Sequence, residues 1–353
     1  MARTTGRKKF RDSLDKAQKE SNQKAHYKPL KKENEGRSTG LEPATLGITI
    51  RCSNQLSYDR QRSPQYASFC IKVNTPCNVE IMDSHVKDFF RQASDGTDSG
   101  TFHRVIALHE APDIDWKTVE AQFPGLPRGW FELAHVNQAD RIEFSRDYWI
   151  AKLPFRPQLE EILRHFFSAL DDIGIFLTQK KFDDPFEAHL VYSIKKNGGY
   201  FCGAAPASDD AIVAMQNGFT TTIFPLDYIT FLQIHNGFHK STDTGISPSH
   251  QMKGRFDDFQ NMLNVQDSLE TMAGDQVNPK SLIPFYESFG MPFYQCFWTD
   301  WYPENEMGNV YYSGLTKRIS DVKWTGPTTE NYVENMAFPT FSDWLMFYLE
   351  ILE

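Results

Sequence analysis

Ile223-Phe224-Pro225-Leu226-Asp227-Tyr228-Ile229-Thr230-Phe231-Leu232-Gln233-Ile234-His235-Asn236-Gly237-Phe238-His239 is the stretch from which the fold is read. Proline suits the first turn of a helix, where its missing N–H costs nothing, so Pro225 opens a helix of two turns. Tyr228, Phe231 and Leu232 fall on one face at helical spacing and are expected to point into a core. Asn236-Gly237 supplies the left-handed geometry that stops the helix. The same stretch holds His235 and His239 at i,i+4 spacing, a pair that could bind zinc from one helical face. No Glu adjoins His235, and Gly237 between the two should end the helix, so loop or core histidines are the better reading.

On the N-terminal side, Ala188–Ile194 and Tyr200–Ala204 flank Lys195-Lys196-Asn197-Gly198-Gly199 and predict a hairpin with glycines where positive φ is needed. Before it, Pro157 opens a helix whose apolar face is Leu159, Ile162, Leu163, Phe166, Phe167, Leu170 and Ile173, with Gly174 at its end or in a turn. Further upstream, Asp83–Ala93 reads as a short helix and Thr101–Glu110 as a short strand or helical turn. Trp116–Gln122 reads as a helix capped by Asp115 and broken by Phe123-Pro124-Gly125-Leu126-Pro127. Trp130–Val136 and Arg141–Leu153 read as strand-like material. On the C-terminal side a helix is expected over 256–263. Strands are expected at Leu282-Ile283-Pro284-Phe285, Gln295–Trp301, Asn309–Tyr312 and over 319–324, with a turn at 304–308. A terminal helix within Phe338–Leu349 is capped by Thr340 or Ser342.

That order of elements resembles the SUKH superfamily, named partly after a fungal cell-wall-assembly regulator. The resemblance rests on Phe224-Pro225-Leu226-Asp227-Tyr228 and Phe231 with Asn236-Gly237, then Leu282–Phe285 with Pro284. It continues through Cys296-Phe297-Trp298-Thr299-Asp300-Trp301, Gly308-Asn309-Val310 and the closing helix with Trp344. It covers about residues 157–353, with Phe224 standing where leucine is usual and no counterpart for the stretch before 157. It implies an α+β fold, a largely antiparallel sheet flanked by helices, and protein binding rather than catalysis. Bacterial members of the family act as immunity proteins against nuclease-type toxins, and eukaryotic ones as regulatory scaffolds. The chain is therefore expected to be a non-enzymatic binder that neutralises a toxin. The alternatives are a regulatory adaptor and, from another class, a hydrolase using His235 and His239.

Charge fits the first role. Residues 1–70 carry 15 Lys or Arg against 7 Asp or Glu. Of the chain's 37 basic and 46 acidic side chains, the remaining 283 residues therefore hold 22 and 39, a net of −17. An acidic body repels nucleic acid and favours a basic protein partner, such as a toxin domain. Service to solubility alone is the plainer reading of the same charge. Trp298, Asp300 and Trp301 are the expected partner contacts. Alternation along a strand sends Trp298 to one face and Phe297 with Trp301 to the other, unless a bulge intervenes.

Chemistry-bearing motifs are otherwise sparse. No CxxC pair, Gly-x-Ser-x-Gly elbow, P-loop or dinucleotide fingerprint occurs, so neither catalytic residues nor a cofactor or metal is expected. Cys202 and Cys296 read as small apolar core residues. Asp171-Asp172, Asp183-Asp184 and Asp209-Asp210 read as solvated caps rather than acid–base pairs. Apolar runs such as Ile173–Leu177 and Trp344–Leu349 fall far short of the roughly 18 residues of a membrane span, and the basic start lacks an apolar middle section, so a cytoplasmic location is expected.

Residues 1–35 hold almost no large apolar residues and are expected to be disordered. Residues 36–61 resemble the antisense translation of a tRNA gene. Gly40-Leu41-Glu42-Pro43 matches the complement of a T-loop, and Cys52-Ser53-Asn54-Gln55-Leu56-Ser57-Tyr58 that of a D-arm, in the right order. Residues 1–81 as a whole are thus expected to be disordered and to lie upstream of the functional protein, with Met82 a candidate start. Residues 82–156 form an N-terminal elaboration, and 157–353 the SUKH-like domain.

Overall fold

A computed structural model describes residues 82–91, 101–111, 113–263, 269–288, 292–322 and 336–350. The disorder expected over 1–81 lies outside the described residues. Asp83 caps the first helix, Ser84–Phe89 (α1), by accepting from the His85 N–H. Arg104–Ala107 (β1) runs into a single 3-10 turn. Trp116–Gln122 (α2) starts at Asp115, whose Oδ1 accepts from the Thr118 N–H at 3.0 Å.

Two segments read as strand-like are helices, Arg128–Ala134 (α3) and Gln138–Lys152 (α4). In α4 the buried positions are Arg141, Ser145 and Trp149, one every four residues. Two of those three are polar, so an apolar count misses the face. The Asn137 cap, accepting from the Asp140 N–H, starts the helix. Pro157–Ser168 (α5) then stops earlier than expected, because Leu170–Gln179 (β2) takes over. Leu170, Ile173 and Gly174 therefore belong to a buried strand rather than to a helix and its end.

Glu187–Ile194 (β3) and Tyr200–Ala204 (β4) form the expected hairpin. Its positive φ values fall on Lys196, Asn197 and Gly199, whereas Gly198 stays at −74°. Asp209–Asn217 (α6) and Leu226–Leu232 (α7) follow, with Pro225 as the cap of α7. The second helix ends at Leu232, one turn before Asn236-Gly237. Gly237 holds φ at +109° to turn the chain into Phe238–Lys240 (β5). Beyond Gly245–Ile246 (β6), Met252–Leu263 (α8) is one turn longer than expected.

Leu269–Thr271 (β7) and Gln276–Val277 (β8) form a small hairpin. Then come Leu282–Glu287 (β9), Phe293–Trp298 (β10), Asn309–Ser313 (β11), Arg318–Ile319 (β12) and Ala337–Phe338 (β13). The strand expected over 319–324 is only Arg318–Ile319, since residues 320–322 are not strand, and its last two positions lie outside the described residues. Phe341–Leu349 (α9) closes the fold with Thr340 as its cap.

The strands line up as β1-β2-β3-β4-β5-β6-β9-β10-β11-β12-β7-β8, and β13 lies beside β12 on the same edge of β11. Every pairing is antiparallel except β12 with β7, so the fold is α+β with a largely antiparallel sheet, as expected. The main core covers one face of the sheet. Leu159, Leu163, Phe166 and Phe167 of α5 pack there with Ile173 and Ile175, and with Tyr228, Phe231 and Trp344. On the opposite face α1 shields Phe176, Tyr200 and Cys202, while Phe259 and Leu263 of α8 cover Leu282, Cys296 and Val310. Burial pushes both thiols up, Cys202 to about 12, so at neutral pH both are protonated core groups, as their isolation in sequence suggests.

Candidate partner-binding face

The SUKH-like motif residues meet in the core. Tyr228 is fully buried, its hydroxyl donating to Met252 Sδ at 3.3 Å. Its ring lies 5.0 Å from Phe297 and 5.2 Å from Phe341. Phe231, also fully buried, sits 5.4 Å from Phe341. Trp344 crosses Phe285 edge-on at 4.9 Å and stacks on Tyr348 at 4.9 Å. Asn236 Oδ1 accepts from the Ser249 N–H at 2.6 Å, holding the segment that follows β6. Pro284 lies opposite Cys296 across β9 and β10, and Val310 is fully buried. Pro225, Tyr228, Phe231, Gly237, Pro284, Val310 and Trp344, all buried, and the half-buried Asn236 thus frame the fold.

Gly308 links this frame to the expected contact segment. Its backbone is sealed to that segment by Trp298 N–H to Gly308 O and Gly308 N–H to Trp301 O, each 3.0 Å. A side chain at Gly308 would run into the Trp301 indole, so only glycine lets the loop close. The turn also brings Trp298 and Trp301 together, their rings 6.4 Å apart, in the cluster with Leu282 and Val310. Phe297 faces the main core. The pairing of Phe297 with Trp301 on one face therefore does not occur. The strand ends at Trp298, and a tight turn, with Trp301 N–H bonded to Trp298 O at 3.0 Å, replaces alternation beyond it. Both tryptophans are half-buried, Asp300 is exposed, and the most exposed ring is the neighbouring Tyr302, at 53%. Trp298 Nε1 is buried without a hydrogen-bond partner.

The loop before β11 and the starts of α5, α7 and α9 are tied together by bonds that the sequence did not reveal. Arg156 sits between Asp343 at 3.5 Å and Glu306 at 3.9 Å, tying the start of α5 to the start of α9 and to the loop before β11. Asp227, at the start of α7, accepts from both the N–H and the hydroxyl of Ser342 at 2.8 Å. Burial raises the pKa of its carboxyl, against the lowering effect of those bonds and of Arg156. Beside these bonds, three large apolar side chains are open to solvent. Phe155 is 70% exposed, Ile223 85% and Leu226 73%. Only Leu226 gave a signal. In α7 the buried positions are 227, 228, 231 and 232, which leaves Leu226 on the outward stripe.

His235 and His239 are not brought together. His235 lies in the main core, stacked on Phe238 at 5.4 Å, with Nε2 bonded to the Tyr192 hydroxyl at 2.6 Å and Nδ1 to Ala204 O at 3.0 Å. Burial presses it down to about 4. Alternation along β5 turns His239 away from Phe238, to the face where it lies near His189. Among the described residues no group of three or more His, Cys, Asp or Glu is placed to hold a metal ion. Nor, among them, is any helix long and apolar enough to cross a membrane.

Residues 206–346 match the model of the SMI1 / KNR4 family (SUKH-1), so this part of the chain is supported as a SUKH-superfamily domain. The match runs from just before α6 into α9 and takes in Leu226, Gly308 and the Trp298–Tyr302 loop. Phe155 and Arg156 lie outside it. No curated protein matches the chain.

Proposed function

We propose that the chain is a non-enzymatic, cytoplasmic protein-binding domain that neutralises a basic, nuclease-type toxin by covering its substrate cleft. The SUKH-type domain supports a binding role. The observation that carries the finer reading is charge. Residues 71–353 hold 39 acidic against 22 basic side chains, an excess suited to a surface that must dock where a phosphate backbone otherwise lies. Trp298 and Trp301, half-buried and fixed by Gly308, with exposed Asp300 and Tyr302 beside them, offer such a partner rigid aromatic contacts.

Co-expression tests this reading, with a nuclease-type toxin domain encoded beside the chain's own gene as the challenge. Cells are expected to survive only when the full chain is present. The two proteins should co-elute at low salt and separate as ionic strength rises, because charges at a rim are screened within a Debye length of about 10 Å at 0.1 M. A gene neighbourhood without such a toxin, or cell death despite the chain, overturns the proposal. Stable recovery of an endogenous regulatory complex on the full chain would put an adaptor role in its place.

A further inference from the structure

We infer that the partner docks at the end of the molecule formed by Phe155, Ile223, Leu226 and Tyr302, and that it presents an apolar side chain flanked by lysine or arginine. This rests on the protein-binding reading above and adds the place and the chemistry. Single exposed apolar residues are ordinary on any protein surface. Here four large ones, 53% to 85% exposed, come from three segments distant in sequence. Interactions beneath them join those segments. Arg156 reaches Glu306 and Asp343, Asp227 holds Ser342, and Phe224 packs against Phe297 with rings 5.9 Å apart. Those bonds fix the segments that carry the four side chains before a partner arrives, which lowers the ordering cost of binding.

The charge at this end selects the partner. Arg156 is held between two carboxylates, so its own charge is spent within the surface, and Asp300 stands exposed beside Trp301. Lys152, at the end of α4, is the nearest other cation along the chain. An apolar anchor between basic residues satisfies both features. A second copy does not. A two-fold interface sets a patch against itself, which would bring two patches that both carry Asp300 and Glu306 together without added basic charge.

Panning a displayed library of random short peptides against the full chain tests the inference. Labelled enriched peptides are then titrated by fluorescence anisotropy against the wild type, a Phe155→Asp/Leu226→Asp variant and a Phe182→Asp control. Phe182 is 71% exposed on the β2–β3 turn. The expected peptides pair an apolar residue with Lys or Arg, and lose about tenfold or more in affinity with the double variant alone. A urea midpoint matching the wild type shows that the variant is folded. No enrichment, acidic or uncharged peptides, or binding that survives the double variant overturns the inference. So does a concentration-dependent dimer on sedimentation that the double variant abolishes. Toxin protection that persists in the double variant would discard this docking site and leave the proposed function standing. Specific peptide binding without toxin protection would do the reverse.

Discussion

Buried polar side chains are costly unless every donor finds an acceptor, and the main core holds one chain of them that balances. Trp149 Nε1 donates to the Tyr192 hydroxyl at 3.0 Å, and that hydroxyl donates to His235 Nε2 at 2.6 Å. Ala204 O can only accept, so His235 carries its proton on Nδ1. Tyr192→Phe keeps the ring but strands both the indole N–H and the imidazole nitrogen. We expect a loss of about 1–3 kcal/mol in urea unfolding, and an unchanged midpoint would show that the chain is not needed. The buried histidines also set a pH dependence. Burial presses His109, His189 and His235 each down to about 4. They stay neutral in the folded chain while the unfolded chain takes up protons below about 6.5. Their contribution is therefore full above pH 6.5 and is lost as pH falls toward 4, at about 1.4 kcal/mol per pH unit for each histidine. Asp172, Asp227 and Asp243, raised by burial, bind protons more readily when folded and oppose this at the acid end. Urea midpoints are expected to fall between pH 6.5 and 5, and less steeply in His189→Gln. A flat profile over that range would contradict it.

At the scale of elements, α7 separates frame from surface within two turns. Phe231→Ala removes a fully buried ring that meets Trp149, Phe238 and Phe341, and should cost about 3–5 kcal/mol. Leu226→Asp, five residues earlier on the outward stripe, should change stability by no more than about 0.5 kcal/mol. Equal losses from the two in urea unfolding would mean that the helix faces have been misassigned. Elements with punctuation were legible in the sequence. Asp115 and the Phe-Pro-Gly-Leu-Pro break bound α2, Pro225 set the start of α7, and Thr340 capped α9. What stayed hidden lacked a local signal. The buried face of α4 includes Arg141 and Ser145, and the charge on Arg141 becomes sensible only once Asp172 of β2 is placed against it. Strand β2 follows α5 with Leu170 and Ile173 still on the helical count, so a continuous buried run passed for more helix. The tryptophan loop was legible as a candidate contact, because its composition is unusual. The exposure of Phe155, Ile223 and Tyr302 was not, because it is set by what fails to pack over them.

For the whole molecule, the span before Pro157 contributes to the same core as the span after it. Strand β1 pairs with β2 along four residues, from Arg104 opposite Gln179 to Ala107 opposite Phe176. Arg141 grips Asp172 through both oxygens at 2.8 and 2.9 Å, and also donates to Val136 O at 2.8 Å. Trp149, 1% exposed, lies 5.6–5.9 Å from the rings of Phe167, Tyr192, Phe231 and Phe238. Removing everything before Pro157 would open β2 as a bare edge, leave Asp172 without its cation and leave a void the size of an indole at the centre of the core. Breaking a buried ion pair by deleting one partner costs about 3–5 kcal/mol, and losing a buried tryptophan costs a similar amount. Together these approach the 5–15 kcal/mol that holds a typical domain folded. A chain of residues 157–353 is therefore expected to show no cooperative urea transition and to bind a hydrophobic dye, although it contains the whole SUKH-1 match. Full-length chain with Trp149→Ala should still unfold cooperatively, with about 3–5 kcal/mol less stability. A sharp transition from 157–353 alone would mean that the earlier helices rest on a finished domain, and the tryptophan variant would then be nearly silent.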